Sequence, residues 1–533
     1  MKKVLFYIVL LLATISCENE EFFELERPVQ RPWLNLTEFE RAPIGAYREI
    51  FSTNLSWGNG FNYWYLYKNA VGDDVAWATP GDAAWGWYRD TENEKAWLSE
   101  MFTDCYKTIS SVNDAIQYVE ENNGNPYPDI NEADKVNNLE RIVGELYFLR
   151  GFSYYMVATT FGDAYEPGGV NGAQQIPLRI VRASSYEEAA NSKIGMTEEI
   201  WNQMLSDFQT AYEMLPERYI PGIMHVSYQA GRANKFAAAA MLARIYFGMG
   251  NYTKAEEYSS FVIDENNGDY DLSEDPIEAF NKSTLARAKE TIMYTPCYDE
   301  TFGNQNLHAA TFSNLLIDNP VPWVATHMDY ATAQRLGWMS DPKNDTTITI
   351  LARRDKRFQQ LMAFRGASNV PESDRIEGIY YETRTNLMWR TILASKYFRG
   401  PGGRYTNVPT LRLAEMYLTR AICRFRGGDK EGAASDLNVV RKRAWDESIA
   451  GEPYEFSDSH VTSSNVTEQM INDERLIEMF MEGDRIDYLR GLKVDVPNNE
   501  PERGVPASVP YTDKGFVWPI PINETELNQG YGN

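Results

Sequence analysis

Cysteine and histidine are scarce in this chain. Four cysteines, Cys17, Cys105, Cys297 and Cys423, are spread over 533 residues, with no CxxC pair and no spacing that a zinc site requires. No disulfide framework follows from such a set. Cys105 and Cys423 fall in stretches of helical periodicity, where a buried thiol acts as a small hydrophobe. The four histidines, His225, His308, His327 and His460, are widely spaced. GxSxG, HExxH and phosphate-loop motifs are missing, and the glycine-rich turn GPGGR at 400–404 lacks the strand and helix that a phosphate loop needs. No catalytic constellation, metal site or cofactor is expected. A glycosidase needs only two carboxylates, so composition alone leaves that class open. Basic residues are also in deficit, 51 against 76 acidic ones, and a net charge of -25 repels a phosphate backbone, which sets nucleic acid aside as a partner.

Aromatic residues are what the chain has in excess. Thirteen Trp and 33 Tyr exceed what a helical core consumes, and both combine a flat apolar face with a polar edge, so some are expected on a binding surface. At 43% hydrophobic the chain is globular despite its low mean hydropathy.

The N-terminus has the form of a signal peptide. Lys2 and Lys3 precede an apolar run, Val4 to Ala13, too short to span a bilayer as a mature helix. Thr14-Ile15-Ser16-Cys17 resembles a bacterial lipobox, with Thr14 where Leu is usual. Cleavage after residue 16 makes Cys17 the lipidated first residue, its acyl chains anchoring at roughly 0.8 kcal/mol per buried methylene. Glu18, Glu20 and Glu21 follow at once, resembling the acidic signal that sends some lipoproteins to the outer face of the outer membrane. Residues 1–16 therefore read as signal peptide and 17–36 as a lipidated tether. Residues 37–533 read as a single domain, whose first helix has Thr37 as N-cap and Glu40 three residues on.

That domain is organised around a repeated helical hairpin. The stretch from Leu411 to Arg443 slides back onto an earlier one so that Ala421 falls on Ala243, Phe425 on Phe247, Gly428 on Gly250, Ala433 on Ala255 and Val440 on Val262. Each copy reads as helix, tight turn, helix, with an alanine near the start of the return helix where the two must approach. One hairpin cannot bury its apolar face alone, so the expected fold is mainly α, a tetratricopeptide-like stack. Further helices are expected at Trp97 to Glu121, Asn138 to Phe161, and from an N-cap at Thr197 to a stop at Pro216. The acidic stretch from Asp264 to Asp275 fails the EF-hand pattern, because Asp269 occupies the position that needs Gly, and reads as a solvated turn. In Ile471 to Leu492, Leu476, Ile477, Phe480 and Met481 form a buried face. Glu474, Arg475, Glu478, Glu482 and Arg485 form a second face, solvated or paired.

Two irregular blocks interrupt the helices, at about 54–97 and 279–410. Both are rich in Gly, Pro, Asn and aromatics, and long irregular segments in compact domains are usually functional. Trp77, Trp85 and Trp87 lie in the first beside Asp73, Asp74, Asp82 and Arg89, and Trp323, Tyr330 and Trp338 lie in the second. Flat rings beside carboxylates and a guanidinium suit a sugar, whose C–H face stacks while its hydroxyls accept and donate hydrogen bonds. Trp77, Trp85, Trp87, Arg89, Trp323, Tyr330 and Trp338 are the candidate ligand residues. The competing reading has the tryptophans pinning loops to the helices.

Six segments together resemble the SusD/RagB family of outer-membrane nutrient-binding lipoproteins: GELYFLRGFSYYMVATTFGD at 144–163, SDFQTAYEMLP at 206–216, the two hairpins at 234–263 and 411–444, INDERLIEMFMEGDRIDYLRG at 471–491 and PIPINETELNQGYG at 519–532. Tyr147 departs from the pattern, as does the missing Asn-Pro in the tail. The resemblance implies a tetratricopeptide-like helical scaffold with a loop-rich face, lipid-anchored in the outer membrane facing the cell exterior. It also implies a cap over a SusC-like TonB-dependent transporter, with an oligosaccharide or polysaccharide ligand or, in the RagB kind, a peptide. No ligand contact transfers residue by residue, since the family's ligand residues lie in variable loops.

Overall fold

The computed structural model describes residues 33–51, 60–72, 75–77, 96–229, 231–280, 287–296, 326–328, 330–340, 348–365, 380–382, 391–394, 396, 407–497 and 508–532. The chain divides into two units, Met1–Arg41 and Ala42–Asn533. In the first, the short helix Leu36–Phe39 is capped by Asn35, whose extended backbone lets its side chain accept from the Glu38 amide at 2.9 Å. The cap is thus two residues earlier than the expected Thr37. Helix Arg41–Phe51 begins at the division.

The second unit is built from helices that pack in chain order: α1 (Ala96–Glu121), α2 (Arg141–Phe161), α3 (Thr197–Met214), α4 (Lys235–Gly248), α5 (Tyr252–Asp264), α6 (Leu413–Gly427), α7 (Lys430–Ala444) and α8 (Glu468–Met479). Each of α1 to α6 packs against the next, and α8 lies on α6 and α7. The periodicity explains the packing. On α1, Met101, Cys105, Ile109, Val112, Ile116 and Val119 recur every three or four residues and all are buried. α2 is buried on nearly every side and is the central member; it is entered through a π-helical turn, Lys135–Glu140, that begins before the expected Asn138. α3 starts at Thr197 itself, one residue after its cap, Met196, and ends before Pro216 as expected.

The hairpin repeat is present in detail. Gly250 and Gly428 both adopt the left-handed conformation, at φ 78° and 91°, that ends a helix without a Cβ clash. The next residues, Asn251 and Asp429, each cap the return helix by accepting an amide three residues on. Ala243, Ala255 and Val262 are fully buried, and so are Ala421, Ala433 and Val440. Charge ties reinforce the stack: Arg150 of α2 reaches Asp207 of α3 at 2.7 Å, Arg244 of α4 grips Glu415 of α6 through two 2.6 Å bonds, and Arg420 of α6 holds Asp436 of α7.

Since α5 packs directly on α6, everything between them is an excursion from the stack. The turn after α5 is organised by buried Asn266, which donates to the Val262 and Ile263 carbonyls and accepts from the Gly268 and Tyr270 amides. Asp264, Glu265, Asp271 and Glu274 are exposed, so the turn is solvated as expected, and the buried Asn266 holds its backbone. The strands are short: β1 (Val75–Trp77), β2 (Thr291–Thr295), β3 (Thr326–Met328), β4 (Met362–Arg365), β5 (Tyr380–Glu382), β6 (Thr391–Ala394) and β7 (Val408–Arg412). β2 and β7 pair antiparallel, Thr291 opposite Arg412 and Thr295 opposite Val408, and so close the base of the excursion. A separate ribbon pairs Gln174–Pro177 with Ile194–Met196. No helix among the described residues is long and apolar enough to cross a membrane.

Candidate ligand-binding face

The two blocks expected to be irregular meet, and neither is irregular throughout: helix Gly60–Ala70 lies in the first, and helices Tyr330–Arg335 and Lys356–Leu361 lie in the second. β1, from the block at 54–97, pairs antiparallel with β3, from the block at 279–410, in the register Val75 to Met328, Ala76 to His327 and Trp77 to Thr326. β3 also lies against β6, the edge of a three-stranded sheet in which β4 runs parallel to β5 and antiparallel to β6. Met328, Met362, Ile392 and Ala394 are buried and give this assembly an apolar side. Ile392 and Ala394, two residues apart on β6, lie on the same side of the strand.

The candidate residues are distributed unevenly. Trp77 lies on β1 and Tyr330 opens helix Tyr330–Arg335 just after β3, so both backbones stand at the junction, with side chains outside the described residues. Trp85, Trp87, Arg89 and Trp323 lie wholly outside them, as do Cys17 and Cys297. Trp338 is corrected: it is 2% exposed and packs edge-on against Phe358 at 5.1 Å between ring centres. The Gly337 turn, at φ 70°, directs the chain inward there, and Ala333, Met339 and Ile348 are buried around it. Trp338 is therefore a pin of the second block, and its ring offers no open face to a sugar.

Beneath this assembly lies a buried knot of charge. Arg412, at the end of β7, grips Glu482 through bonds of 2.7 and 2.8 Å, reaches Glu478 at 2.9 Å and also pairs with Glu290. Arg443 of α7 reaches Glu478 at 2.5 Å and Glu290 at 2.9 Å. Arg357 pairs with Asp355, Glu474 and Glu478, Lys396 pairs with Glu482 at 2.6 Å, and Arg441 reaches Glu474 at 2.7 Å. Cations and carboxylates match in number, which is the condition for burying charge at all. Burial pushes the Glu478 carboxyl up, but Arg443, Arg412 and Arg357 outweigh it and hold the group well below the usual carboxylate range. Burial lowers Lys396, and Glu482 opposes that.

Of the face expected to be solvated or paired, Glu474, Arg475 and Glu478 of α8 and Glu482 in the turn after it are both paired and buried, and Arg485 of the following helix is buried. These carboxylates are committed to cations, an arrangement that fixes structure and leaves no acid–base pair poised there. No group of three or more His, Cys, Asp or Glu able to hold a metal occurs among the described residues. Cys105 and Cys423 are buried free thiols, as expected; burial pushes Cys423 up to about 12. Sequence reading missed Arg412, Glu290, Arg357 and Lys396. One signal was available: Arg412 interrupts the apolar run VPTLRLAEMYL, where a charged residue needs a buried partner.

A helical-repeat scaffold carrying two aromatic-rich blocks on a shared ladder defines a binding protein of the tetratricopeptide-like class. The chain belongs to the SusD family: the profile described as "SusD family" matches residues 197–532, and one described as "Starch-binding associating with outer membrane" matches residues 60–247. SusD-like protein P2 of Formosa agariphila is 25% identical over 98% of this chain and 97% of its own length. Starch-binding protein SusD of Bacteroides thetaiotaomicron is 28% identical over 64% of this chain and 62% of its own. Among solved structures, a SusD superfamily protein of B. thetaiotaomicron superposes with a TM-score of 0.70 at 21% identity, covering 93% of this chain and 99% of that one. A laminarin-binding SusD-like protein superposes with a TM-score of 0.63 at 18% identity, covering 92% and 98%. These structures share the fold.

Proposed function

We propose that this chain is a cell-surface lipoprotein that captures oligosaccharides on the face formed by blocks 54–97 and 279–410 and delivers them to a SusC-like TonB-dependent transporter. The observation that carries the reading is the β1–β3 ladder, which sets Trp77 opposite Thr326, on the strand just before Tyr330. The family profile described as starch-binding and the starch- and laminarin-binding relatives support a glycan as the ligand class. Trp77, Trp85, Trp87, Trp323 and Tyr330 supply stacking surfaces in this proposal, and Arg89 a hydrogen-bonding group. Each ring contributes on the order of 1 kcal/mol, so several act together on one chain. Capture involves no bond cleavage, in keeping with carboxylates committed to cations in the buried knot.

Lipidation of Cys17 would confine the protein to the membrane that holds the transporter, and confinement raises effective concentration enough for a modest interface to persist. The test has two arms. Cys17→Ala is expected to release the protein from the membrane, and gentle solubilisation followed by affinity capture is expected to recover a large barrel protein with the wild type. Unchanged membrane attachment of the variant, or capture without a barrel, contradicts the proposal.

A further inference from the structure

The sheet of the second block stands on two charged feet. Arg357 precedes β4 on helix Lys356–Leu361, and Lys396 follows β6 by two residues. Arg357 reaches the C-terminal half of α8, and Lys396 reaches its last turn and the turn that follows it. Arg357 Nη1 lies 2.6 Å from Glu474 Oε1 and 3.1 Å from Glu478 Oε2. Lys396 Nζ donates to Glu482 Oε1 at 2.6 Å and to the Glu478 carbonyl at 2.9 Å. From Lys396 the path is short: β6 lies against β3, and β3 is zipped to β1.

We infer that Lys396 is a positioning residue for the ligand face, fixing where the β6, β3 and β1 strands stand on the helical scaffold without itself meeting the ligand. Its consequence for binding rests on the function proposed above; its mechanical part rests on geometry alone. Lys396 is fully buried and carries the tie at the exit of β6. Glu482 stays gripped through two bonds by Arg412 when Lys396 is removed, so the stack keeps its own closure while the sheet loses one foot. Arg441, which is half-buried, offers a control. It contributes one cation to the same knot, through Glu474 at 2.7 Å, but belongs to α7, and among the described residues its bonds to Glu474 and to the Ser459 carbonyl tie no strand of the second block.

The experiment compares Lys396→Met and Arg441→Met with the wild type, using the full chain in detergent. Amide hydrogen exchange reads the strands, and titration with soluble starch and laminarin reads the face. Lys396→Met is expected to speed exchange at 391–394, 326–328 and 75–77 by about tenfold, with 413–427 and 430–444 unchanged. It is also expected to weaken whichever polysaccharide the wild type binds by about tenfold. Arg441→Met is expected to leave strand exchange and binding as in the wild type. Unchanged strand exchange in Lys396→Met, or the same rise in both variants, overturns the inference. Strand-specific exchange in a protein whose wild type binds neither polysaccharide upholds the positioning role and counts against the glycan reading.

Discussion

Trp77 stands opposite Thr326 across an antiparallel ladder, joining two irregular blocks that lie far apart in the chain. Trp338, in the second of those blocks, is buried against Phe358. The proposed ligand tryptophans and the buried Trp338 have different expected responses. Trp338→Ala deletes a core ring and is expected to cost about 3–5 kcal/mol in denaturant unfolding. Trp85→Ala and Trp323→Ala are expected to leave the unfolding midpoint near that of the wild type and to weaken glycan binding. Equal destabilisation by all three would place Trp85 and Trp323 among the pins as well.

Arg412 is the centre of the charge knot, at 1% exposure with three carboxylate partners. Removing one member of a buried pair costs about 3–5 kcal/mol because the remaining charges stay uncompensated. Arg412→Met is expected to fall in or above that range, checked by urea unfolding. A loss below about 1 kcal/mol would show that water enters the knot and screens it.

The fold was legible because its periodicity is strong and local. The hairpin repeat was visible in Ala243, Gly250, Ala255 and their partners Ala421, Gly428 and Ala433, since a left-handed helix end and a close helix contact restrict residue choice. The charge knot was not legible, because Glu290, Arg412 and Glu478 meet only through tertiary closure and no local pattern marks such a meeting. Nor was the burial of Trp338, which looks like any other loop tryptophan until the Gly337 turn is seen. Thr37 satisfies the capping pattern with Glu40, but the extended backbone and the side-chain bond to the Glu38 amide fall at Asn35, so the helix begins earlier.

The two turn glycines separate backbone strain from crowding. A Cβ at Gly428 meets nothing within 4 Å, so Gly428→Ala is expected to cost only the left-handed conformation, about 1–2 kcal/mol. A Cβ at Gly250 meets Pro167 Cγ at 2.7 Å, so Gly250→Ala is expected to cost more. Thermal unfolding of both variants checks the order, and the reverse order would contradict it.

Two lysines, the buried Lys68 and the half-buried Lys493, set a pH dependence. Burial, with Arg490 second, lowers Lys493 to about 7, and burial lowers Lys68 to about 8 against the pull of Asp487. A lysine whose folded pKa lies below its unfolded value holds its proton less tightly in the native state. The unfolded chain then carries the extra proton between the two values, and stability rises with pH across that window. Between pH 7 and 9 the urea midpoint is expected to rise, by at most about 1.4 kcal/mol per lysine for each pH unit within its window. Lys493→Met is expected to remove part of the rise. A midpoint that falls over this range in the wild type would contradict the assignment.

The central claim is capture of a glycan without cleavage. The measurement that meets it most directly is isothermal titration of the purified full chain with a panel of polysaccharides and, in parallel, peptides, with reducing ends assayed in the same samples. The account predicts saturable binding of at least one glycan, loss of that binding when Trp77, Trp85, Trp87 and Trp323 are replaced together by Ala in a normally folded protein, and no release of reducing ends. Binding confined to peptides, or a steady release of reducing ends, would contradict it.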